Sequence, residues 1–402
     1  MITALRGMKD TLGPENTVYT FVINECVRLA KNYGFELIET PILEETALFK
    51  RSVGESSDIV GKEMYQFTDK GGNDVCMRPE GTAGVVRAFV QHKMDKAGGV
   101  KRFFYHGPMY RYERPQKGRL RQFHQFGVES FGESDVKEDA SVILLLAEIF
   151  RALGIKATLK LNSLGCPTCM PPYREKLIAF LDAQEGLCED CLRRKNTNPI
   201  RVLDCKNAHC QTLLATAPRI TNHLCVTCNE EFSALQALLK GFNLPFEVDS
   251  SLVRGLDYYS KTAFEFVSDE IGAQSSIAGG GRYDRLVEFL DGKPTPGIGF
   301  AMGIERLLEL VVMPEASREG LYLGALCEEA IGPVYALAIQ KRASEKVMVE
   351  YQAKSLKAHL KLADKKEAVI FACMGEDELK EGVVWVKNLI TKTETRIPLK
   401  DF

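Results

Sequence analysis

The sequence predicts an α+β fold: an antiparallel sheet flanked by helices, interrupted by a mainly helical cysteine-rich insertion and followed by a small α/β unit. Three observations carry this. Strand-like runs at 101–132 and 247–281 sit beside long helical periodicities, so strands are grouped instead of strictly alternating with helices. Across 165–240, cysteine pairs and charged, helix-prone segments replace the strand pattern. Beyond 314–320, strand and helix alternate. The 402 residues exceed one ordinary core and suit two or three domains. The expected partition is 1–164 and 241–313 for the two parts of one large unit, 165–240 for the insertion and 321–402 for the terminal unit.

Taken in order, residues 16–34 place Val18, Phe21, Val22, Cys26, Leu29 and Ala30 at helical spacing and stop at Gly34. A strand is expected at 35–39 and is interrupted by Pro41, which lacks a backbone donor. Segments 66–77 and 101–132 read as antiparallel strands, with a short helix at 84–93 between them. Residues 137–153, apolar at Ala140, Ile143, Leu144, Ala147 and Phe150, form a helix closed by Gly154. Strands resume at Glu247 and run through Phe264-Glu265-Phe266-Val267 to Gly279-Gly280-Gly281, and 301–310 reads as a helix. In the terminal unit, strands at 322–326, 347–351 and 368–372 alternate with helices at 332–344 and 354–365, and no closing helix precedes Phe402.

A hydrophobic fraction of 45% with 26% charged residues is that of a globular protein able to offset chain entropy. The net charge of −2 gives no general positive field, so an RNA partner has to be held by local basic surfaces. Met1-Ile2-Thr3-Ala4-Leu5-Arg6-Gly7 is not a basic start followed by an apolar run, and no uninterrupted apolar stretch of about 18 residues occurs, so a cytoplasmic protein without membrane contact is expected.

Chemistry is concentrated in the segment from Tyr105 to Phe126. Two strands there flank a loop with Arg114, Lys117, Arg119 and Arg121, which would hold cations beside a sheet floor as a polyphosphate needs. Taken alone, the loop reads better as a solvated hairpin tip, the usual fate of a basic loop. A second element, Gly297-Ile298-Gly299-Phe300-Ala301-Met302-Gly303-Ile304-Glu305-Arg306, sets glycines that allow close ligand approach before an arginine that reaches phosphate, although a glycine-rich turn packed for structural reasons gives the same pattern.

Together, in this order, these segments resemble motifs two and three of class II aminoacyl-tRNA synthetases, and Tyr33-Gly34-Phe35-Glu36-Leu37-Ile38-Glu39-Thr40-Pro41 resembles motif one. Arg254-Gly255-Leu256-Asp257-Tyr258-Tyr259 and Gly280-Gly281-Arg282-Tyr283-Asp284 resemble the two signatures of histidyl-tRNA synthetases, and Arg6-Gly7-Met8-Lys9-Asp10 and Arg78-Pro79-Glu80-Gly81-Thr82 match that family too. The resemblance implies the class II antiparallel sheet and an anticodon-binding-like domain at 321–402, apparently shortened. It implies ATP held by Arg111, Glu113, Arg121, Phe123 and Arg306, with Mg²⁺ on the leaving pyrophosphate. L-histidine is expected at Glu80, Gly81, Thr82, Gln125, Glu129, Tyr258, Tyr259 and Tyr283, with Arg254 opposite Arg111 as the catalytic pair. It further implies a histidine tRNA as partner and a homodimer. The nearest rival is a non-catalytic, synthetase-like regulatory subunit of histidine biosynthesis, which typically lacks the tail domain and has a degraded histidine signature. A zinc-stabilised RNA-binding protein would have no reason to keep Glu80, Arg111, Gln125, Glu129, Arg254 and Arg306 together.

The resemblance does not extend to Cys166, Cys169, Cys188, Cys191, Cys205, Cys210, Cys225 and Cys228. Three of these pairs have Cys-x-x-Cys spacing, and four thiolates make one tetrahedral site, so one or two structural Zn²⁺ ions are expected. Spacing does not tell which cysteines share an ion. Because the adenylation residues lie outside the insertion, its metal is expected to matter more for tRNA charging than for histidine activation.

Overall fold

The computed structural model describes residues 1–402 apart from 55–56, 272–275 and 314–317. The expected hairpin forms from Lys101–Tyr110 and Gln122–Phe131, with Phe104 opposite Val128 and Phe103 opposite Glu129. Since successive side chains point to opposite faces of a sheet, the sequence of this hairpin divides cleanly. Phe104, Phe126 and Val128 enter the main core with helices Gly13–Asn32 and Val136–Ala152, while Phe103, Tyr105 and Phe131 join Val85, Phe89 and Tyr283 in a second cluster. Each fully buried side chain of this size contributes roughly 1.5–3 kcal/mol.

The hairpin belongs to an eight-stranded sheet in the order Glu36–Leu37, Lys101–Tyr110, Gln122–Phe131, Gly297–Gly303, Ser276–Arg282, Ser260–Val267, Thr158–Ser163, Phe246–Val248. Only the two edge pairs are parallel. Leu43–Glu45, Tyr65–Thr68 and Asp74–Met77 form a separate three-stranded sheet. Helix Val136–Ala152 is signalled at both ends: Asp135 Oδ1 accepts from Lys137 N at 2.9 Å, and Gly154 takes φ +68° after the last turn. Arg282, 1% exposed, ties the sheet to that helix by pairing with Asp139 at 2.6 Å and donating to the carbonyls of Glu133 and Asp135.

Two expected elements are shorter than the pattern suggested. The strand at 35–39 is reduced to Glu36–Leu37. The helix at 301–310 is one turn, Ile304–Leu307, because Ala301, Met302 and Gly303 stay in register with Gly127, Phe126 and Gln125 as strand.

The cysteine-rich segment is helical, with Met170–Asp182, Glu189–Thr197, Ala208–Leu213 and Val226–Gly241, and has its own core around Tyr173, Leu177, Val202 and Ile220. Helix Val226–Gly241 starts at the thiols but buries Phe232, Leu235 and Leu239 in the main core, so the insertion's own core ends near Cys228. Contacts group residues Met1–Met313 into one compact unit and Pro314–Phe402 into another. The second is a five-stranded sheet in the order Val347–Val349, Leu321–Ala325, Ile370–Met374, Val383–Asn388, Glu394–Pro398. The first three strands are parallel and the last two antiparallel, so the chain closes on a hairpin instead of a helix. Its buried His359 is a core residue, bonded to Ala325 O at 2.9 Å and to the Tyr322 hydroxyl at 3.1 Å. Among the described residues no helix is long and apolar enough to cross a membrane.

Candidate active site

On the sheet face carrying Tyr105 and Glu129, one cross-strand row reads Glu265, Gly279, Ala301, Gly127, Tyr105. Three small residues in the middle make a floor with little side chain above it. A pocket enclosing about 210 Å³ stands on this floor. Gly279 leaves room for one particular group: a Cβ there would meet Arg254 Nη1 at 2.2 Å. Gly299 does the same for Glu129, whose Oε2 would lie 2.0 Å from an added Cβ. Gly279 and Gly299 are therefore explained by the side chains that lie over them.

Several arginines line the pocket. Arg111 donates from Nε to Pro79 O at 2.8 Å, and its guanidinium carbon lies 5.2 Å from the centre of the Phe123 ring. Arg306 is held by the carbonyls of Ser276 and Gly118. Arg254 pairs with Glu265 at 3.1 Å and lies 5.6 Å from the Tyr259 ring, and its Nε is buried with no hydrogen-bond partner among the described residues. Such fixed charges, set over a floor without competing side chains, suit an anionic ligand.

Polar and buried groups stand beside these arginines. Glu80 accepts from Thr82 N at 2.8 Å and Ala83 N at 2.9 Å, which caps helix Thr82–Gln91 and fixes the carboxyl; burial pushes its pKa up. Glu129, 1% exposed, accepts from the hydroxyls of Thr82, at 2.7 Å, and Tyr283. Burial pushes its pKa to about 8, against the opposing effect of those donors. Burial also keeps the phenols of Tyr105, Tyr258, Tyr259 and Tyr283 protonated. Gln125 Oε1 and the Tyr258 hydroxyl are buried without a partner among the described residues, so an acceptor and a hydroxyl stand ready for a ligand.

Of the residues expected from sequence, Glu80, Thr82, Arg111, Glu113, Phe123, Gln125, Arg254, Tyr258, Tyr259 and Arg306 line this pocket. Glu129 lies directly behind Thr82 and accepts from its hydroxyl, and Tyr283 in turn donates to Glu129. Gly81 is not a wall of the pocket; the Tyr105 ring would sit 2.1 Å from a Cβ there, so its part is close packing. Arg121, expected to hold ATP, is not among the residues that line this pocket. Its guanidinium stacks on Tyr112, 3.8 Å from the ring centre, and its Nε donates to Glu113 O, which turns it from the pocket. Arg119 lines the pocket instead, paired with Glu113 at 3.2 Å. The two arginines are two apart, so strand alternation does not choose between them. Glu265 was missed although Phe264 and Phe266 in the main core put it on the site face by alternation.

The eight cysteines of the insertion collect into two quartets, Cys166, Cys169, Cys225 and Cys228, and Cys188, Cys191, Cys205 and Cys210, the sulfurs of each within 4.8 Å of one another. All are free thiols, and each quartet could hold a metal ion.

Comparison with known proteins identifies the family. Residues 7–307 match the family model described as histidyl-tRNA synthetase. A protein named histidine–tRNA ligase from Sulfurimonas denitrificans is 64% identical over 398 residues, covering 99% of both chains. Another of that name, from Campylobacter fetus subsp. fetus, is 62% identical over 402 residues, with 99% of this chain and 98% of the other covered. The crystal structure of apo histidyl-tRNA synthetase from S. aureus superposes with a TM-score of 0.81 at 33% identity, covering 100% of this chain and 98% of that one. A family match over three quarters of the sequence, joined to relatives that share its whole length, places the chain in the histidyl-tRNA synthetase family.

Proposed function

We propose that this chain is a histidine–tRNA ligase that converts ATP, L-histidine and a histidine tRNA to AMP, diphosphate and histidyl-tRNA through a histidyl-adenylate. One observation carries the reading: Arg111, Arg254 and Arg306 meet the buried polar group of Glu80, Gln125, Tyr258 and Tyr259 in a single pocket over a small-residue floor. The family's non-catalytic alternative is disfavoured by relatives named as ligases at 64% and 62% identity along the entire chain.

In the first step an oxygen of the histidine carboxylate attacks the α-phosphorus. The bond from that phosphorus to the bridging oxygen breaks, and pyrophosphate leaves with the electron pair. Arg111 and Arg254 bracket the α-phosphate, Arg306 and Arg119 take the outer phosphates, and Phe123 stacks on adenine. Glu80, Thr82 and Gln125 hold the substrate ammonium, while Glu129, Tyr259 and Tyr283 address the imidazole. A site whose buried polar groups need histidine to satisfy them rejects amino acids that leave them unpaired. Mg²⁺ fits at Glu113 on the pocket wall, since it takes one or two carboxylates with phosphate oxygens, and when bound it neutralises the leaving pyrophosphate. In the second step the terminal ribose hydroxyl of the tRNA attacks the acyl carbon and AMP departs.

Structural Zn²⁺ in each cysteine quartet belongs to the same reading. Sulfurs bound 2.3 Å from a tetrahedral centre lie about 3.8 Å apart, and Cys166–Cys169, Cys166–Cys225 and Cys188–Cys205 are separated by 3.7, 3.9 and 3.8 Å. The enzyme works in the cytoplasm as a homodimer built on the motif-one segment. Glu36–Leu37 is an edge strand, and Leu37, Ile42 and Leu43 expose 49%, 40% and 49% of their surface, an apolar edge that needs cover. Sedimentation of active protein at micromolar concentration should give a dimer; a monomer alone would exclude this assembly.

Charging tests the function itself. Incubated with ATP, labelled histidine and unfractionated tRNA, the protein should transfer label to acid-precipitable RNA, and periodate-treated tRNA should accept none. No transfer by a preparation that binds ATP would refute the ligase assignment.

A further inference from the structure

The two quartets occupy different places in the insertion. Cys166 and Cys169 follow strand Thr158–Ser163, and Cys225 precedes helix Val226–Gly241, so the first quartet joins the points where the chain enters and leaves the insertion. The second does something else. Cys188 opens helix Glu189–Thr197 and Cys205 ends the 3₁₀ turn Pro199–Asp204, and their sulfurs lie 3.8 Å apart. This quartet closes the base of a two-armed loop whose apex is Asn198, where the chain reverses at φ −141° and ψ 85°.

The apex touches the segment that carries Arg254. Asn198 Nδ2 donates to Asp257 Oδ1 at 2.7 Å. Asp257 lies against Gly54 on the other side, where an added Cβ would be 2.3 Å from its Oδ2, and its own N–H donates to Val53 O at 3.3 Å. Thr197, Asn198 and Ile200 share a cavity wall with Val253, Arg254 and Tyr259. Both arms of the loop are fastened to the body by one carboxylate: Asp58 pairs with Arg193 at 3.0 Å, Arg194 at 3.2 Å and Arg201 at 3.5 Å. These cations hold its carboxyl below the usual range despite its partial burial.

We infer that the second quartet, with its metal, is a positioning site for histidine activation: it clasps the loop that presents Asn198 to Asp257 and so sets the Arg254-to-Tyr259 segment over the pocket. The inference rests on the reading of the quartets as zinc sites and goes beyond it. It also revises the expectation from sequence that metal in the insertion serves charging more than activation. Arg254, Tyr258 and Tyr259 follow the placement of Asp257, whereas Arg111, Phe123 and Arg306 are set by the hairpin and the glycine strand. Misplacing a group by about 1 Å costs up to 10²-fold in rate, so loosening the clasp should lower the rate of activation and spare ATP affinity.

Two measurements separate the inference from its premise. Elemental analysis of protein purified without chelators should find two zinc ions per chain, with one lost in Cys188→Ser/Cys205→Ser and the other in Cys166→Ser/Cys225→Ser; zinc-free protein would overturn the premise, and the inference with it. Pyrophosphate exchange with Asn198→Ala, which removes no thiol, should show kcat reduced roughly tenfold or more, an unchanged KM for ATP and an unchanged zinc content, with charging reduced by the same factor. The Cys188→Ser/Cys205→Ser variant should reproduce that split in kcat and KM. Full zinc content together with a wild-type exchange rate in Asn198→Ala would leave the zinc sites standing and overturn their role in activation.

Discussion

Replacing Arg254 by alanine is expected to lower histidyl-adenylate formation by about 10²- to 10³-fold while leaving histidine affinity close to wild type. Negative charge builds on the α-phosphate oxygens as the carboxylate attacks, and removing one preorganised donor from such a site costs on the order of 3–4 kcal/mol of transition-state stabilisation. Arg254 is the group placed to supply that donor. Its guanidinium lies over Gly279 in a gap no other residue could leave, is oriented by Glu265 at 3.1 Å, and keeps Nε without a partner among the described residues. Arg254→Lys should recover only part of the rate, because a lysine restores a charge but not the planar fork. Single-turnover rates near wild type in Arg254→Ala would remove this residue from the reaction.

Glu129→Gln should reduce kcat/KM for histidine by about 10- to 100-fold, the loss expected when a buried polar partner is left unsatisfied, at roughly 1–3 kcal/mol. The same change should alter stability in a pH-dependent way. In the folded protein the Glu129 pKa is about 8, above its ordinary 4.5, so the folded state holds this proton more tightly than the unfolded chain does. The stability linked to this proton is fully present below about 4.5 and is lost as pH rises to about 8. Glutamine is uncharged throughout and escapes that loss. Thermal unfolding without ligands should therefore show the variant gaining on wild type between pH 5 and pH 8.5, and parallel pH profiles for the two proteins would refute the assignment of a protonated Glu129.

Much of the site was legible because strand alternation and motif order act on the same residues. Phe123, Gln125 and Glu129 share one parity on a strand whose other parity, Phe126 and Val128, is core, so one face had to carry the chemistry. The helix Val136–Ala152 was legible from its apolar spacing and from Gly154 past its end. Other features are decided by contacts far apart in sequence. Arg119 and Arg121 have the same parity, and contacts with the Tyr112 ring and the Glu113 carbonyl set Arg121 apart from the pocket lining. The helix expected from Ala301 gave way to strand because pairing with Gln122–Phe131 continues to Gly303. Cysteine spacing picked out the thiol pairs, but not that Cys166 and Cys169 meet Cys225 and Cys228 across the whole insertion. The Asn198–Asp257 bond joins two loops with no periodicity to connect them.

Isotope exchange between pyrophosphate and ATP tests most directly whether this pocket activates histidine. With Mg²⁺ and no tRNA, label from pyrophosphate should enter ATP when L-histidine is present, and should stay out when histidine is omitted or replaced by any other proteinogenic amino acid. Folded protein that binds ATP and L-histidine yet exchanges no label, or exchanges it equally with a different amino acid, would contradict the assignment of histidine activation to Arg111, Arg254 and the residues around them.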